Sequence, residues 1–181
     1  MDDMDIYFNQ ERKRKAEFID PPNILRSKVG TGGLSEEILD KAQKLLEEST
    51  VDFKPLAIMY LDSMMEGIEI AKGISPSDDV ESVISTMLYP AMQLKANGAM
   101  FHYNLITEIA GKLVNYLEVI EEPDIEAVEI ILAFHTTMKA ILQGQITGDG
   151  GTHGQDLLSA LNSACVRYFS KNEVLLDVPD E

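Results

Sequence analysis

Apolar residues recur every three or four positions along most of the chain, which is the spacing that places them on one face of an α-helix. No pair of segments shows the alternation of apolar and polar residues that marks half-buried strands. Glycine and proline breaks divide the periodic part into segments at about 35–50, 51–72, 77–98, 105–120, 124–146 and 153–169. The pattern predicts an all-α fold, an antiparallel helical bundle in which neighbours in sequence are neighbours in space.

Each segment carries a stripe of apolar residues that we expect to face the core. In the first three segments the stripes are Ile38, Ala42, Leu45 and Leu46; Leu56, Met59, Tyr60 and Met64; and Val80, Ile84, Met87, Ala91, Leu94 and Gly98. In the last three they are Leu105, Ile109, Leu113, Tyr116, Leu117 and Ile120; Val128, Ile131, Leu132, His135, Met138 and Leu142; and Leu157, Leu158, Leu161, Cys165 and Tyr168. Pro90 lies inside the third segment and should kink it.

The two ends of the chain lack this periodicity. Residues 1–19 are polar, with a basic cluster at 12–15, and predict a mobile tail. Residues 20–34 begin with prolines and end in glycines, which predicts an extended strap. Its apolar residues Ile24, Leu25 and Val29 are suited to contact a groove of this protein or of a partner. The bundle then spans 35–170, and residues 171–181 form an acidic tail.

The charge balance narrows the classes of partner. The chain has 15 Lys and Arg against 31 Asp and Glu, a net charge of −16, which opposes binding to nucleic acid. No apolar run approaches the ~20 residues of a membrane span, and the N-terminus has no signal-peptide core. A single cysteine, Cys165, excludes an internal disulfide. We therefore expect a cytoplasmic protein that binds neither nucleic acid nor membrane.

Few residues are candidates for chemistry. His135 falls on an apolar stripe, where a hydrogen-bonded core residue is the expected role, while His102 and His153 lie next to helix breaks. No His-x-x-x-His pair exists and no glutamate precedes a histidine by three residues, so the sequence predicts no metal site and no cofactor. Residues 148–151, Gly-Asp-Gly-Gly, precede a helix without a nearby Lys or Arg, which favours a turn over a phosphate site.

One edge of the third segment stands opposite its inward stripe. It is formed by Leu88, Met92, Lys95, Ala96 and Ala99. A surface of small residues beside exposed apolar ones is typical of a site that docks another protein. Periodicity alone leaves a second interpretation open, in which another helix or the strap covers these residues.

Matches to a known signature run through this stretch and the segment after it: Leu94, Lys95 and Phe101, then Ile109, Ala110, Leu113, Leu117 and Glu118, with Leu105 one residue before the first leucine of the second helix. With them the chain resembles the histidine phosphotransfer (Hpt) domains of bacterial phosphorelays. Their first signature helix reads His-x-(Ile/Leu)-Lys-Gly-x-x-x-x-Phe-Gly, and the second Leu-x-x-(Leu/Ile)-Ala-x-x-Leu-x-x-x-Leu-Glu. The strap and the 148–151 turn are similar to those of an Hpt-like subfamily, which extends the resemblance over 21–169. It implies a four-helix core with extra helices and an N-terminal strap.

The departures from that signature bear on activity. The phosphoryl-accepting histidine falls on Met92, the glycine after the lysine on Ala96, and the final glycine on His102. A thioether forms no stable phosphoryl adduct and Lys95 alone supplies no nucleophile, so the resemblance implies a degenerate member that is not an enzyme. His102, ten residues beyond Met92, would point to another face of a continued helix, ~15 Å along its axis.

These observations favour a non-catalytic, Hpt-like interaction module in two-component or chemotaxis-type signalling. It would dock a response-regulator receiver domain or a histidine kinase through the edge around Met92, without passing phosphate. One alternative is active phosphotransfer through His102 or another histidine. Another is a structural or adaptor subunit of a larger assembly, of the flagellar, motor or secretion type, whose contacts are the strap and the basic tail.

Overall fold

The computed structural model describes residues 33–47, 52–75 and 77–176. One compact unit contains 33–47, and the described residues from 52 onward belong to another. The predicted tail, most of the strap with Ile24, Leu25 and Val29, and residues 177–181 lie outside these ranges. Helices and no strands occur within them, which confirms the all-α class.

The first unit contains an amphipathic helix, α1, at Glu36–Glu47. The carbonyl of Ser35 accepts a hydrogen bond from the amide of Ile38 at 3.0 Å, so the helix begins where the sequence predicted. Ile38 and Leu45 are more than half exposed. These two apolar residues of α1 are therefore open to solvent.

The second unit consists of longer helices and one 3₁₀ turn. They are α2 (Lys54–Lys72), α3 (Val80–Gly98), the 3₁₀ turn (Ala99–Phe101), α4 (Asn104–Val119), α5 (Ile125–Gln143) and α6 (Gly151–Leu176). Helices α2 to α5 pack in cyclic order, so α3 lies between α2 and α4, and α5 contacts both α4 and α2. Helix α6 packs against α4 and α5. In the described part of the chain no helix has the length and apolarity needed to cross a membrane.

Aspartates begin two of these helices. The side chain of Asp79 accepts hydrogen bonds from the amides of Glu81 and Ser82, at 3.1 and 3.4 Å, at the start of α3. Asp124 accepts one from the amide of Ala127, at 2.7 Å, at the start of α5. Each carboxylate pairs amides that have no partner inside the helix, which stabilises the helix start.

The stripes predicted for α3 and α4 form the centre of the core. All six residues predicted for α4 are buried, and five of the six predicted for α3 are buried, with Val80 half-buried. Pro90 is buried and α3 continues through it. The burial confirms that a period near 3.6 identified the inward faces of these two helices.

The face predicted for α2 is correct in part. Met64 is buried, and Leu56 and Tyr60 are half-buried against the core, but Met59 is 55% exposed. The buried residues are Ala57, Leu61, Met64, Gly67, Ile68 and Ala71. Apolar residues surround most of α2, so spacing allowed more than one face, and the small residues mark the side on which other helices pack.

Two glycines permit close packing on α3. A Cβ at Gly67 of α2 would lie 2.6 Å from Thr86 Oγ1 and 2.7 Å from Met87 Cγ on α3. A Cβ at Gly98 would lie 2.6 Å from Thr107 Oγ1 of α4. Contacts this short are not tolerated without movement of the neighbours, so glycine at both positions fixes how closely α2 and α4 approach α3.

Helix α6 differs from its prediction in extent and in facing. It begins at Gly151 and continues to Leu176, beyond the predicted end at Phe169 and into the segment assigned to an acidic tail. Leu157, predicted to face the core, is 39% exposed, whereas the neighbouring Leu158 is buried. Because Leu157 and Leu158 are adjacent, the spacing of apolar residues was compatible with either of them facing the core. Packing places Leu158 there.

The loop before α6 is a turn, as predicted. Gly148, Gly150 and Gly151 have φ values of 69°, 69° and 59°, a conformation that glycine adopts without steric cost. Gly148 donates its amide to the carbonyl of His102 at 2.6 Å and accepts the amide of Leu105 at 2.8 Å. The α5–α6 connection is thereby hydrogen-bonded to the α3–α4 connection.

Candidate functional site

The predicted docking residues Leu88, Met92, Lys95, Ala96 and Ala99 form a surface that we call the Met92 face. Met92 is 50% exposed, and Lys95, Ala96 and Ala99 are also exposed. Leu88 is half-buried and packs against the core, so the expectation of an exposed leucine is wrong. Among the described residues, four of the five predicted positions are therefore open to solvent.

The exposure of Met92 follows from the packing of α3. Met87, Ala91 and Leu94 are completely buried, because this side of α3 faces the core. At 100° per residue, Met92 and Ala96 lie roughly opposite that buried side. The part of α3 that carries them therefore cannot contribute to the core and is available for a partner.

Tyr89 extends the Met92 face, and the sequence analysis did not include it. It lies one helical turn before Met92 and is 63% exposed. The same spacing argument would have found it, since Tyr89 is also absent from the inward stripe. Tyrosine and methionine both provide adaptable apolar contact area at protein interfaces.

Lys95 lies along the seam between α3 and α4. Its Cε and Cδ are 3.7 and 3.8 Å from the position that a Cβ on Gly111 would occupy. The aliphatic part of Lys95 therefore lies over Gly111 at a distance that would still admit a methyl group. The ammonium group remains at the surface, where it is able to pair with a carboxylate of a partner.

Ala99 lies on the 3₁₀ turn rather than on α3. Its amide donates to Thr107 Oγ1 at 2.7 Å, and the amide of Tyr103 donates to the carbonyl of Gly98 at 2.8 Å. These bonds end α3 and direct the chain into α4. The Met92 face therefore ends at this corner.

His102 and His153 are exposed residues at the ends of helices. His102 follows the 3₁₀ turn and has a left-handed backbone, with φ 66° and ψ 19°. The prediction that His102 lies off the face of Met92 rested on a continued helix, but α3 ends at Gly98. His153 lies in the first turn of α6. The amide of His102 donates to the carbonyl of Ala99 at 3.1 Å, so His102 adjoins the end of the Met92 face.

His135 is a core residue, as the sequence predicted. It is 2% exposed, and its Nε2 lies 3.1 Å from the carbonyl oxygen of Leu61 on α2. Burial lowers the pKa of His135, since the charged ring would lose its hydration. The ring is therefore neutral and donates its Nε2 proton to Leu61.

Cys165, Tyr116 and Tyr168 are buried. Burial raises the pKa of the Cys165 thiol to about 12, so the reactive thiolate is not populated. Burial also raises the pKa of Tyr116 and, together with the Asp124 carboxylate, the pKa of Tyr168. In the described ranges, no three His, Cys, Asp or Glu side chains come together in a way that could hold a metal ion.

Comparison of the chain with protein-family models, with curated proteins and with solved structures gives no match. The site is therefore interpreted from its own geometry. It combines the exposed side chains of Tyr89 and Met92, two alanines and one lysine on α3 and the 3₁₀ turn that follows it. The opposite side of α3 is buried in the core. Such an arrangement is able to bind a protein surface.

Proposed function

We propose that this protein is a non-catalytic, Hpt-like interaction module of two-component or chemotaxis-type signalling in the cytoplasm. It docks a response-regulator receiver domain, or a histidine kinase, through the Met92 face and transfers no phosphate. The observation that carries the proposal is the half-exposed side chain of Met92 at the position where Hpt domains have their phosphoryl-accepting histidine. The resemblance of α3 and α4 to the signature helices of Hpt domains supports a receiver domain or a histidine kinase as the partner.

The chemistry of the Met92 side chain allows the docking of a partner but not the transfer of a phosphoryl group. An imidazole nitrogen attacks an aspartyl phosphate because it carries a lone pair and disperses the developing charge. The Met92 thioether would give a sulfonium-type adduct that is unstable in water, and Lys95 alone supplies no nucleophile. A partner that binds the Met92 face would therefore keep its phosphate.

The proposed interface is apolar at its centre and charged at its rim. Met92 and Tyr89 would insert between side chains of the partner, since large exposed side chains contribute most to binding. Ala96 and Ala99 allow the partner backbone to approach α3 closely. Lys95 would pair with an acidic group and add specificity more than affinity.

A charge at the centre of the interface provides the test. We expect Met92→Glu to weaken binding to the cognate receiver domain ~10–100-fold, about 1.4–2.7 kcal/mol, because the carboxylate would be buried without a partner. Met59→Glu is the matched control, since Met59 is 55% exposed on α2 and lies outside the Met92 face. Isothermal titration against each receiver domain of the same cell measures both variants. Equal affinities for the two variants would show that the docking face is wrong.

Restoring the imidazole tests the alignment with the Hpt signature separately. We expect Met92→His to gain acid-labile label from a phosphorylated receiver domain, whereas the wild-type protein stays unlabelled. Label on the wild-type protein would instead establish transfer through another histidine, for which His102→Gln is the diagnostic variant. Binding without label on Met92→His would keep the docking face but reject the Hpt register.

One observation supports the structural-subunit alternative. The apolar residues Leu34, Ile38 and Leu45 in the α1 unit are 66%, 51% and 72% exposed. A helix of twelve residues is marginal in water by itself and gains stability when a partner covers its apolar side. In this alternative Ile38→Glu combined with Leu45→Glu would abolish assembly into a large complex while leaving receiver binding unchanged. Co-sedimentation from the native cell measures that separation.

A further inference from the structure

An open groove of about 480 Å³ runs between α5 and α6. Ile130, Ala133 and Ala164 contribute apolar surface to its lining. Ile125, at the first position of α5, also lines the groove and is 83% exposed. An isoleucine this exposed beside an apolar groove is a candidate contact for a protein partner.

Along the groove, the acidic residues lie on α5 and the basic residues lie on α6. Glu126 and Glu129 stand one turn apart on α5, and Arg167 and Lys171 stand one turn apart on α6. Lys171 donates to Glu126 Oε2 at 2.5 Å, which closes the first pair across the groove. Within the described residues Glu129 and Arg167 form no ion pair with each other or with another side chain. The groove therefore has one acidic side and one basic side.

We infer that this groove is the contact between two copies of this chain, related by a two-fold axis parallel to the groove. Rotation about that axis exchanges the two sides, so the acidic side of one copy meets the basic side of the other. Glu129 of each copy then faces Arg167 of its partner. An axis across the groove would oppose like charges, so the charge pattern selects a single symmetric arrangement.

The same rotation keeps each residue at its own height along the groove and carries it to the opposite side. The exposed Ile125 of one copy therefore faces the α6 side of the other copy. Each copy also carries a net charge of −16, which opposes association over long distances. We therefore expect a reversible dimer with a dissociation constant on the order of micromolar.

Two single charge reversals test this contact without relying on the loss of binding alone. Arg167→Glu places acid opposite acid in both pairs of the dimer, and Glu129→Arg places base opposite base. Each variant by itself should dimerise at least ~10-fold more weakly than the wild-type chain. An equimolar mixture of the two should form a heterodimer, because both pairs are then opposite in sign. Sedimentation equilibrium of the full chain measures all three samples.

The control is Glu66→Arg, a charge reversal at an exposed position of α2, which should leave the dimer unchanged. Circular dichroism of each variant verifies the helical fold. A wild-type chain that stays monomeric at about 200 µM overturns the inference, as does a dimer that both groove variants leave intact. A monomer whose groove variants lose receiver binding would assign the groove to that partner instead, which also overturns the inference.

Discussion

His135 connects two helices of the core through one hydrogen bond. Its Nε2 on α5 donates to the Leu61 carbonyl of α2, and its Nδ1 is buried without a partner. Burial lowers its pKa below the ordinary value of 6.5, and nearby Lys139 lowers it further. The Leu61 bond and Asp62 oppose that shift without overcoming it. Protonation would therefore place a second N–H, with a positive charge, where no acceptor is available.

The lowered pKa predicts that acid destabilises the fold through His135. The folded ring binds its proton less readily than the unfolded ring, so the contribution of the neutral ring is complete above pH 6.5. It is lost as the pH falls from there through the folded pKa. We expect His135→Gln, which keeps an N–H donor but does not titrate, to lose less stability between about pH 7.5 and about pH 5.

Thermal unfolding of the two proteins at both pH values measures this difference. The comparison with His135→Gln is necessary because protonation of carboxylates also changes the repulsion within this acidic chain. Melting temperatures that shift in parallel would show that His135 is already charged in the folded protein, or that water reaches its Nδ1.

At the scale of helices, the positions of glycine determine how closely α2 and α4 pack against α3. Gly98→Ala would bring a Cβ within 2.6 Å of Thr107 Oγ1 and 3.0 Å of the Tyr103 carbonyl, at the point where α3 turns into α4. We expect it to lower the free energy of unfolding by ~1–3 kcal/mol through overpacking. Gly111→Ala is the matched control, since its new Cβ would meet only Lys95 carbons at ordinary contact distance.

The control should move in the opposite direction. Alanine in a helix interior stabilises by about 0.5–1 kcal/mol relative to glycine, so Gly111→Ala should raise the free energy of unfolding. Urea denaturation of both variants distinguishes local packing from helix propensity. Two changes of the same sign would contradict the packing of α4 on α3.

The helices also show what the sequence could predict. All six residues that the hydrophobic period assigned to the inward stripe of α4 are buried, but so are Ile106, Ala110, Val114 and Val119, which that stripe did not include. On α2 the period placed Met59 inward, because apolar residues surround that helix and only packing distinguishes Leu61 from Met59. The sequence predicted the Met92 face as the edge of α3 opposite its inward stripe. It did not predict that Leu88 is half-buried, since the burial of Leu88 depends on how neighbouring helices cover the border of that stripe.

Across the whole molecule, repulsion between negative charges is the dominant long-range interaction. The net charge is −16, and the exposed ion pairs, such as Glu69 with Lys72, contribute little to stability. Added salt screens the overall repulsion more than it weakens these pairs. We expect the melting temperature to rise between about 20 and 300 mM NaCl, by ~2–4 °C for each kcal/mol gained.

Differential scanning calorimetry measures the effect, and equal concentrations of KCl separate screening from ion-specific binding. A melting temperature that stays constant or falls with salt would mean that attractive surface pairs outweigh the net repulsion. Measurement at low protein concentration keeps association between copies from contributing to the change.

The two hydrogen bonds between Gly148 and the chain around His102 join regions far apart in sequence. One bond involves the His102 carbonyl and the other the Leu105 amide, at the corner where the Met92 face ends. Departure of the α5–α6 connection would break both bonds and expose the first turn of α4. The α5–α6 connection and this corner therefore share the same two hydrogen bonds, so a molecule that displaces the connection would also free the backbone next to Ala99.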